Sequence, residues 1–351
     1  MSLNLIPASE VIARFDEFNT LIDARSEGEY AEDHLPGAVN WPTLHDEERK
    51  SIGTLYKQVN AFEAKKRGAA LAARNIAQHI EAHVIDKPRD WAPLAYCWRG
   101  GKRSGSLSLV LDQIGFRVSL VEGGYKAFRA AMLLDLAECA RRLKFQVICG
   151  TTGSGKTRLL HALRDVGAQV LDLEGLARHR SSVLGALPGV AQPTQKRFDT
   201  LVWEHIRALD PQRPVFIESE SKKVGNVSIH PVLVDRMRAS PCYMVELDND
   251  QRVELLLEDY AYFTTHPEVF CNRLDVLTVQ RGKVVVEAWK ALVQKGEFRP
   301  VVGELLTSHY DPVYLESIKR NFSQVAQAST LRPTDRSMES MLTLARSMHS
   351  D

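Results

Sequence analysis

The sequence predicts an α/β protein: two parallel-sheet domains in tandem, the second closed by a mostly helical C-terminal part. Three observations lead there. The chain has 351 residues, room for about two domains of ordinary size. Short β-type runs alternate with helical segments, the pattern of a parallel sheet with helices on its faces. A glycine-rich phosphate-loop motif stands between one such run and a helix.

The elements follow in order. Residues 20–22 form a β-type run that ends at Asp23, and 92–96 form another that ends at Cys97. A third, 118–121, ends in Glu122-Gly123-Gly124, and helical segments at 61–73 and 104–114 lie between the runs. Together they make a first domain over 1–135. A helix over 125–143 follows, with Phe128, Met132 and Leu136 on one stripe. No Pro/Gly/Ser-rich linker interrupts it, so it is expected to join the domains directly. The second domain, 136–351, opens with a buried strand at 145–149 and continues with a helix at 157–164 and strands at 168–171 and 215–217. Past about Ala288 the chain reads mostly helical, with a break at Leu331-Arg332-Pro333-Thr334-Asp335.

Composition narrows the class. Hydrophobic residues make up 44% and charged residues 25%, which excludes a disordered tail, a collagen or a coiled coil. No long uncharged apolar run suggests a membrane span, and residues 1–7 lack the basic and apolar regions of a secretory signal. The five cysteines (Cys97, Cys139, Cys149, Cys242, Cys271) form no CxxC pair, so neither a disulfide framework nor a zinc site is expected. A cytoplasmic protein without a membrane partner is the expectation. Net charge is +1, so nucleic acid would have to meet local basic patches. Candidates are Lys65-Lys66-Arg67, Arg141-Arg142 with Lys144, Arg178 with Arg180, and Lys222-Lys223.

Tyr96-Cys97-Trp98-Arg99-Gly100-Gly101-Lys102-Arg103-Ser104 is a strand end, a cysteine, a glycine-containing basic loop and a helix start. Backbone N–H groups in such a loop can turn inward as an anion nest. The helix N-terminus and the cations Arg99, Lys102 and Arg103 add positive charge. All three effects favour thiolate over thiol, so Cys97 is expected to be a nucleophile. Gly150-Thr151-Thr152-Gly153-Ser154-Gly155-Lys156-Thr157 matches G-x4-G-K-[ST] in full. Its glycines let N–H groups surround a diphosphate, Lys156 neutralises it, and Thr157 can hold magnesium. The motif specifies a diphosphate, not a nucleotide, and no adenine-binding pattern is visible. Asp172 and Glu218 stand at strand ends, where either an acid of the site or a helix cap or salt bridge is compatible. The polar segments 172–182, with Glu174, His179 and Arg180, and 218–226, with Ser219 and Lys222, lie past strand ends, where open parallel sheets bind ligands.

Two resemblances follow. Asp23-Ala24-Arg25, Glu29-Tyr30 and His34-Leu35-Pro36-Gly37-Ala38-Val39-Asn40, with Val121-Glu122-Gly123-Gly124-Tyr125, resemble the rhodanese signature over about the first 130 residues. That resemblance implies a rhodanese-like domain whose Cys97 carries sulfur or selenium. The loop from Cys97 to Arg103 is one residue longer than is usual for a single-domain sulfurtransferase. It also matches the CxxGxxRS pattern of cysteine phosphatases, though Tyr96 stands where those enzymes usually have His. A longer loop with three cations suits a tetrahedral anion such as selenophosphate.

A rhodanese-like domain fused to a P-loop domain, with Asp172-Leu173-Glu174-Gly175-Leu176-Ala177, His179-Arg180, Glu218-Ser219-Glu220-Ser221 and Tyr310-Asp311-Pro312-Val313-Tyr314, resembles the tRNA 2-selenouridine synthase family nearly end to end. Ser181 departs from it, since Gly more often follows His-Arg there. The resemblance implies transfer of a geranyl group from geranyl diphosphate to the sulfur of wobble 2-thiouridine, then replacement of geranylthiol by selenium from selenophosphate. It implies the anticodon region of tRNA as partner and contact with a selenophosphate-supplying enzyme; no tightly bound cofactor is expected, and magnesium enters only if Thr157 holds it. Rival readings are a P-loop kinase or NTPase with a regulatory rhodanese-like domain, a cysteine phosphatase, and a non-catalytic binding scaffold.

Overall fold

Short apolar runs bounded by turns become strands when parallel pairing buries both of their faces. The computed structural model describes residues 4–182 and 184–349. Contacts divide the chain into two units, Met1–Leu136 with Pro193–Glu204, and Ala137–Gln192 with His205–Asp351. Residues 193–204 thus join the first unit, beyond the expected division at 135 and 136.

In the first unit the strands are β1 (Asn4–Ile6), β2 (Leu21–Asp23), β3 (Val39–Asn40), β4 (Leu94–Tyr96) and β5 (Ser119–Val121). All pair in parallel, in the order β1-β5-β4-β2-β3. Helices α1 (Ala8–Ala13), α2 (Glu27–Glu32), α3 (Asp46–Gln58), α4 (Ala61–His83) and α5 (Lys102–Ile114) connect them, and α6 (Gly124–Arg142) leaves β5. Ile22, Trp41, Ile76, Trp91, Leu107 and Leu111 belong to one core cluster. α4 runs on to His83 instead of stopping at 73, because Ile76 and Ile80 continue its apolar face onto that core. The sequence reading missed α3, whose short apolar face, Ile52 and Leu55, is only half-buried and which buries no residue fully.

The segment 193–204 is held to this unit by specific contacts. Trp203 is 1% exposed. Its Nε1–H donates to Asp135 at 2.8 Å, and its ring meets Phe128 edge-on at 5.7 Å. Thr200 donates to Asp33 at 3.0 Å, and Arg129 pairs with Asp199 at 2.6 Å.

The second unit has β6 (Lys144–Cys149), β7 (Gln169–Leu171), β8 (Pro214–Glu218), a hairpin of β9 (Lys223–Val224) and β10 (Val227–Ser228), β11 (Cys242–Val245) and β12 (Ser329–Leu331). Its main sheet is parallel, in the order β12-β11-β6-β8-β7. The helices are α7 (Lys156–Asp165), α8 (Leu173–Ala177), α9 (Gln195–Arg207, which ends in this unit), α10 (Pro231–Arg238), α11 (Asn249–Asp259), α12 (Ala261–Thr265) and α13 (Pro267–Leu274). Then come α14 (Thr278–Arg281), α15 (Lys283–Gln294), α16 (Phe298–Glu304), a π-helix over Leu305–Tyr310, α17 (Asp311–Asn321) and α18 (Met338–His349). The C-terminal part is mostly helical, as expected. Just ahead of its break, and meeting it at Leu331, a strand that was not expected, β12, adds to β11 at the sheet edge. Ile148, Leu159, Leu163, Val170, Phe216 and Met341 share a core cluster between sheet and helices.

Each sheet places one strand at its centre, β4 in the first and β6 in the second. The cysteine loop leaves the end of β4, and the phosphate loop leaves the end of β6. β6 lies between β8 and β11, so the chain winds outward from it in both directions, the switch point at which open α/β sheets bind ligands.

Removing the ring that anchors 193–204 should leave a large hole. Trp203→Ala is expected to destabilise the first unit by about 3–5 kcal/mol. Urea unfolding followed by near-UV circular dichroism measures it, and a loss below about 1 kcal/mol would show that the segment is dispensable.

Candidate active site

The cysteine loop is built by backbone contacts that only small residues allow. Gly100 adopts φ +64° and Gly124 φ +62°. A Cβ on Gly124 would stand 2.2 Å from the Cys97 carbonyl oxygen and 2.4 Å from the Gly100 nitrogen. Because that space is free of side chain, Tyr125 N–H donates to Cys97 O at 2.8 Å and Lys126 N–H to Trp98 O at 3.1 Å. The closing motif at 121–125 therefore holds the loop. The Cys97 side chain is buried, and its Sγ accepts from Gly101 N–H at 3.2 Å and Ser104 Oγ–H at 3.1 Å. Two donors thus aim at one sulfur.

The remaining signature residues form a buried frame around the loop. Arg25 pairs with Asp23 at 2.6 Å, and both are fully buried. The Arg25 guanidinium also donates to Asp33 O at 2.6 Å and lies 4.0 Å from the Tyr125 ring centroid. Tyr125 in turn donates to the Asp33 carboxylate at 2.7 Å. Arg103 corrects an expectation: it does not stand free for an anion but binds Glu29 of α2, with Nη2 at 3.2 Å from Oε1. Burial alone would raise the Glu29 carboxyl; Arg103 and Ser26 outweigh it and hold it at about 2. The half-buried Glu29 needs that cation. Arg99 and Lys102 remain exposed at the loop, with Gly101 between them.

The phosphate loop follows β6 with Gly153 at φ +76° and Gly155 at φ +88°. Its conformation is braced from outside. Arg252, 7% exposed, donates to Thr152 O at 2.8 and 3.0 Å and pairs with Asp311 at 2.6 Å. Gly150 N–H donates to the Tyr314 hydroxyl at 2.8 Å, and that hydroxyl also bonds Ser219 Oγ at 2.9 Å. Lys156 Nζ donates back to Gly150 O at 2.6 Å and lies 5.3 Å from the Tyr314 ring centroid. Its ammonium thus rests at the loop where a diphosphate would replace those carbonyl partners. Ser154 is buried with its hydroxyl unpartnered.

Loop and strand ends enclose a cleft of about 360 Å³. Thr152, Gly153, Gly155, Lys156 and Thr157 line it together with Glu174, Arg180, Glu218 and Ser219. Five expected residues, the buried Ser154 among them, do not line it. Gly150 lies behind the loop against Tyr314. Asp172 caps α8 through Gly175 N–H at 2.7 Å and pairs with His161 at 3.0 Å, so the capping alternative describes it. His179 is buried against Gly225, and Lys222 stands exposed beside the hairpin. The sequence reading missed Arg158, Arg252, Asp259 and Tyr260. Arg158 and Arg180 both pair with Asp259, and Arg180 lies 4.6 Å from the Tyr260 ring centroid.

Glu174, Glu218 and Glu220 bring carboxylate oxygens within 4.8 Å of one another. Ser181, the departure from the expected Gly, bonds Glu220 through its hydroxyl and Glu174 through its N–H. Burial and mutual repulsion push Glu218 well above the usual carboxylate range and Glu220 up to about 7, against the pull of Lys156. Glu218 Oε1 is buried with no partner. Hard oxygen donors, an unpartnered buried carboxylate and the Thr157 hydroxyl beside it fit a divalent cation such as magnesium.

The sign of the Glu220 shift fixes a pH dependence. In the ion-free protein this carboxyl keeps its proton between about 4.5, its ordinary value, and about 7. Its stabilising share is therefore full below about 4.5 and lost as pH rises through about 7. Glu220→Gln, which cannot ionise, should gain on the order of 2 kcal/mol relative to the parent between about pH 5 and about pH 8. Urea unfolding in metal-free buffer reads the difference, and parallel pH profiles in the two proteins would contradict it.

Known proteins carry the same two halves. Residues 7–131 match the rhodanese-like domain family, and residues 143–275 match the tRNA 2-selenouridine synthase AAA domain. A tRNA 2-selenouridine synthase of Nitrosomonas europaea is 35% identical over 74% of this chain and 68% of its own length. One from a Sulfurovum species is 31% identical over 87% of this chain and 90% of its own. One from Bdellovibrio bacteriovorus is 29% identical over 91% and 94%. With both halves matched in order and relatives aligned over most of their length, the chain belongs to the tRNA 2-selenouridine synthase family.

Proposed function

We propose that this protein converts wobble 2-thiouridine of tRNA to 2-selenouridine in two steps, each run by one of its loops. The observation that carries the reading is the pairing, in one chain, of a thiol held by two donors and a diphosphate loop facing a carboxylate-lined cleft.

In the first step the thiocarbonyl sulfur attacks the allylic carbon of geranyl diphosphate. The S–C bond forms, the C–O bond to diphosphate breaks, and the N3 proton of the base is released. Negative charge develops on the leaving diphosphate. The N–H groups around Gly153 and Gly155 and the Lys156 ammonium stabilise it in a site already shaped for it. A magnesium ion, when bound, supplies further positive charge to that leaving group; Thr157 and Glu218 would hold it, with Glu174 and Glu220 alongside. Arg252 and Tyr314 act through the loop as positioning residues.

In the second step geranylthiolate is a far better leaving group than sulfide. Selenium from selenophosphate takes its place at C2, and the phosphoryl group goes to water as phosphate. Cys97 delivers that selenium without a redox change. Its sulfur attacks the phosphorus of selenophosphate held by the exposed Arg99 and Lys102 and the N–H groups of Gly100 and Gly101. The S–P bond forms as the P–Se bond breaks, the freed selenide attacks C2 and expels geranylthiolate, and water then cleaves the S–P bond to give phosphate. The tRNA is met by local cations. Lys65, Lys66 and Arg67 are exposed on α4, as are Arg141, Arg142 and Lys144, Arg178, and Lys222 with Lys223, and these suit phosphate contacts. No helix of the described residues is long and apolar enough to cross a membrane.

The division predicts opposite lesions. Lys156→Ala should reduce geranylation of a 2-thiouridine stem-loop by about 100-fold or more, the cost of removing a charge stabiliser from the transition state. Cys97→Ala should geranylate at the parent rate yet form no selenouridine. Nucleoside mass spectrometry follows both products. Parent-level geranylation by Lys156→Ala, or its loss in Cys97→Ala, would contradict the assignment.

A further inference from the structure

A second cavity adjoins the cleft, and its lining is of the opposite kind. It measures about 60 Å³, and Phe263, Phe270, Phe298, Val302, Leu305 and Leu306 line one part of it. Thr152, Ser182, Leu256, Tyr260 and Tyr310 line both spaces, so the phosphate loop itself borders the apolar one. The two tyrosine hydroxyls at this rim bond Ser182, while beyond them Phe263 and Phe270 stack at 4.7 Å. Polarity therefore falls from the diphosphate loop through the rim to an aromatic wall. The π-helix Leu305–Tyr310 contributes to both spaces, and such segments recur at functional sites.

A purine would find few partners for its ring nitrogens against this wall, and unpaired polar groups are costly to bury. Hydrocarbon pays no such penalty, and apolar cavities of this kind take apolar ligands. We propose that the cavity binds the distal end of the hydrocarbon chain of a prenyl diphosphate whose diphosphate occupies the phosphate loop. The inference rests on the geranyl-transfer reading and deepens it, by giving the chain a place and the enzyme a basis for selecting chain length. The space holds roughly five water-sized groups, one isoprene unit. The proximal unit of a geranyl group then crosses the rim beside Leu256, and the distal unit enters the cavity. A dimethylallyl group ends at the rim and leaves it empty.

Calorimetry on the full chain, with inorganic diphosphate, dimethylallyl diphosphate and geranyl diphosphate at fixed magnesium, tests this. Geranyl diphosphate should bind at least about tenfold more tightly than dimethylallyl diphosphate. Val302→Trp, which fills the cavity from a half-buried position, should cut that preference below about threefold and leave inorganic diphosphate binding unchanged. On the unaltered protein, a geranyl diphosphate analogue with a diazirine at its chain end should label peptides within 256–274 or 298–310. If the parent binds geranyl diphosphate no better than inorganic diphosphate, the geranyl-transfer reading falls and the proposal with it. If the preference exists but survives Val302→Trp, or the label lands outside those peptides, only the cavity assignment is overturned.

Discussion

Backbone N–H groups can converge on an anion only if the chain turns sharply with left-handed residues, and a rigid strand must hold that turn in place. Both working loops of this protein meet the constraint in the same way. Each leaves the C-terminal end of the central strand of a parallel sheet, carries glycines at positive φ, and runs into a helix N-terminus. The sheets supply rigidity, since their central strands are paired on both sides. The glycines supply the turn and the close approach, most plainly at Gly124, where any side chain would strike the cysteine loop.

The loops differ in what braces them, and the difference matches their chemistry. The cysteine loop is surrounded by satisfied, buried charge: Asp23 with Arg25, Asp33 with Tyr125, Glu29 with Arg103. Such a frame fixes the sulfur and leaves Arg99 and Lys102 exposed at the loop. The phosphate loop faces the reverse condition. Three acids crowd beside one lysine, and one carboxylate oxygen has no partner at all. That imbalance is unfavourable in the empty site, and a divalent cation would relieve it. Arg252 and Tyr314 keep the loop in shape meanwhile.

Much of this was legible in the sequence because it is local. A strand, a glycine loop and a helix start lie within a dozen residues, so both loops, Ser104 beside Cys97, and Glu218 at a strand end could be read directly. What escaped was long-range. Arg252 reaches Thr152, and residues 193–204 pack into the first unit through Trp203 and Thr200, contacts that no periodicity announces. Arg103 looked like an anion ligand because its partner, Glu29, lies far back in the chain. Asp172 occupied a strand end as a catalytic acid would, yet it caps α8. β12, three residues long inside a helical region, is a strand only because β11 offers it an edge.

Alkylation and then selenation of one sulfur-bearing base by one chain would leave two products that can be weighed in turn. The direct measurement gives the purified protein a 2-thiouridine anticodon stem-loop, magnesium and geranyl diphosphate, adds selenophosphate later, and weighs the released nucleosides at each stage. S-geranyl-2-thiouridine is expected before the second addition and 2-selenouridine after it. An untouched thiouridine, with ATP hydrolysed in a parallel reaction, would contradict the two-step conversion and place the phosphate loop among nucleotide-hydrolysing enzymes instead.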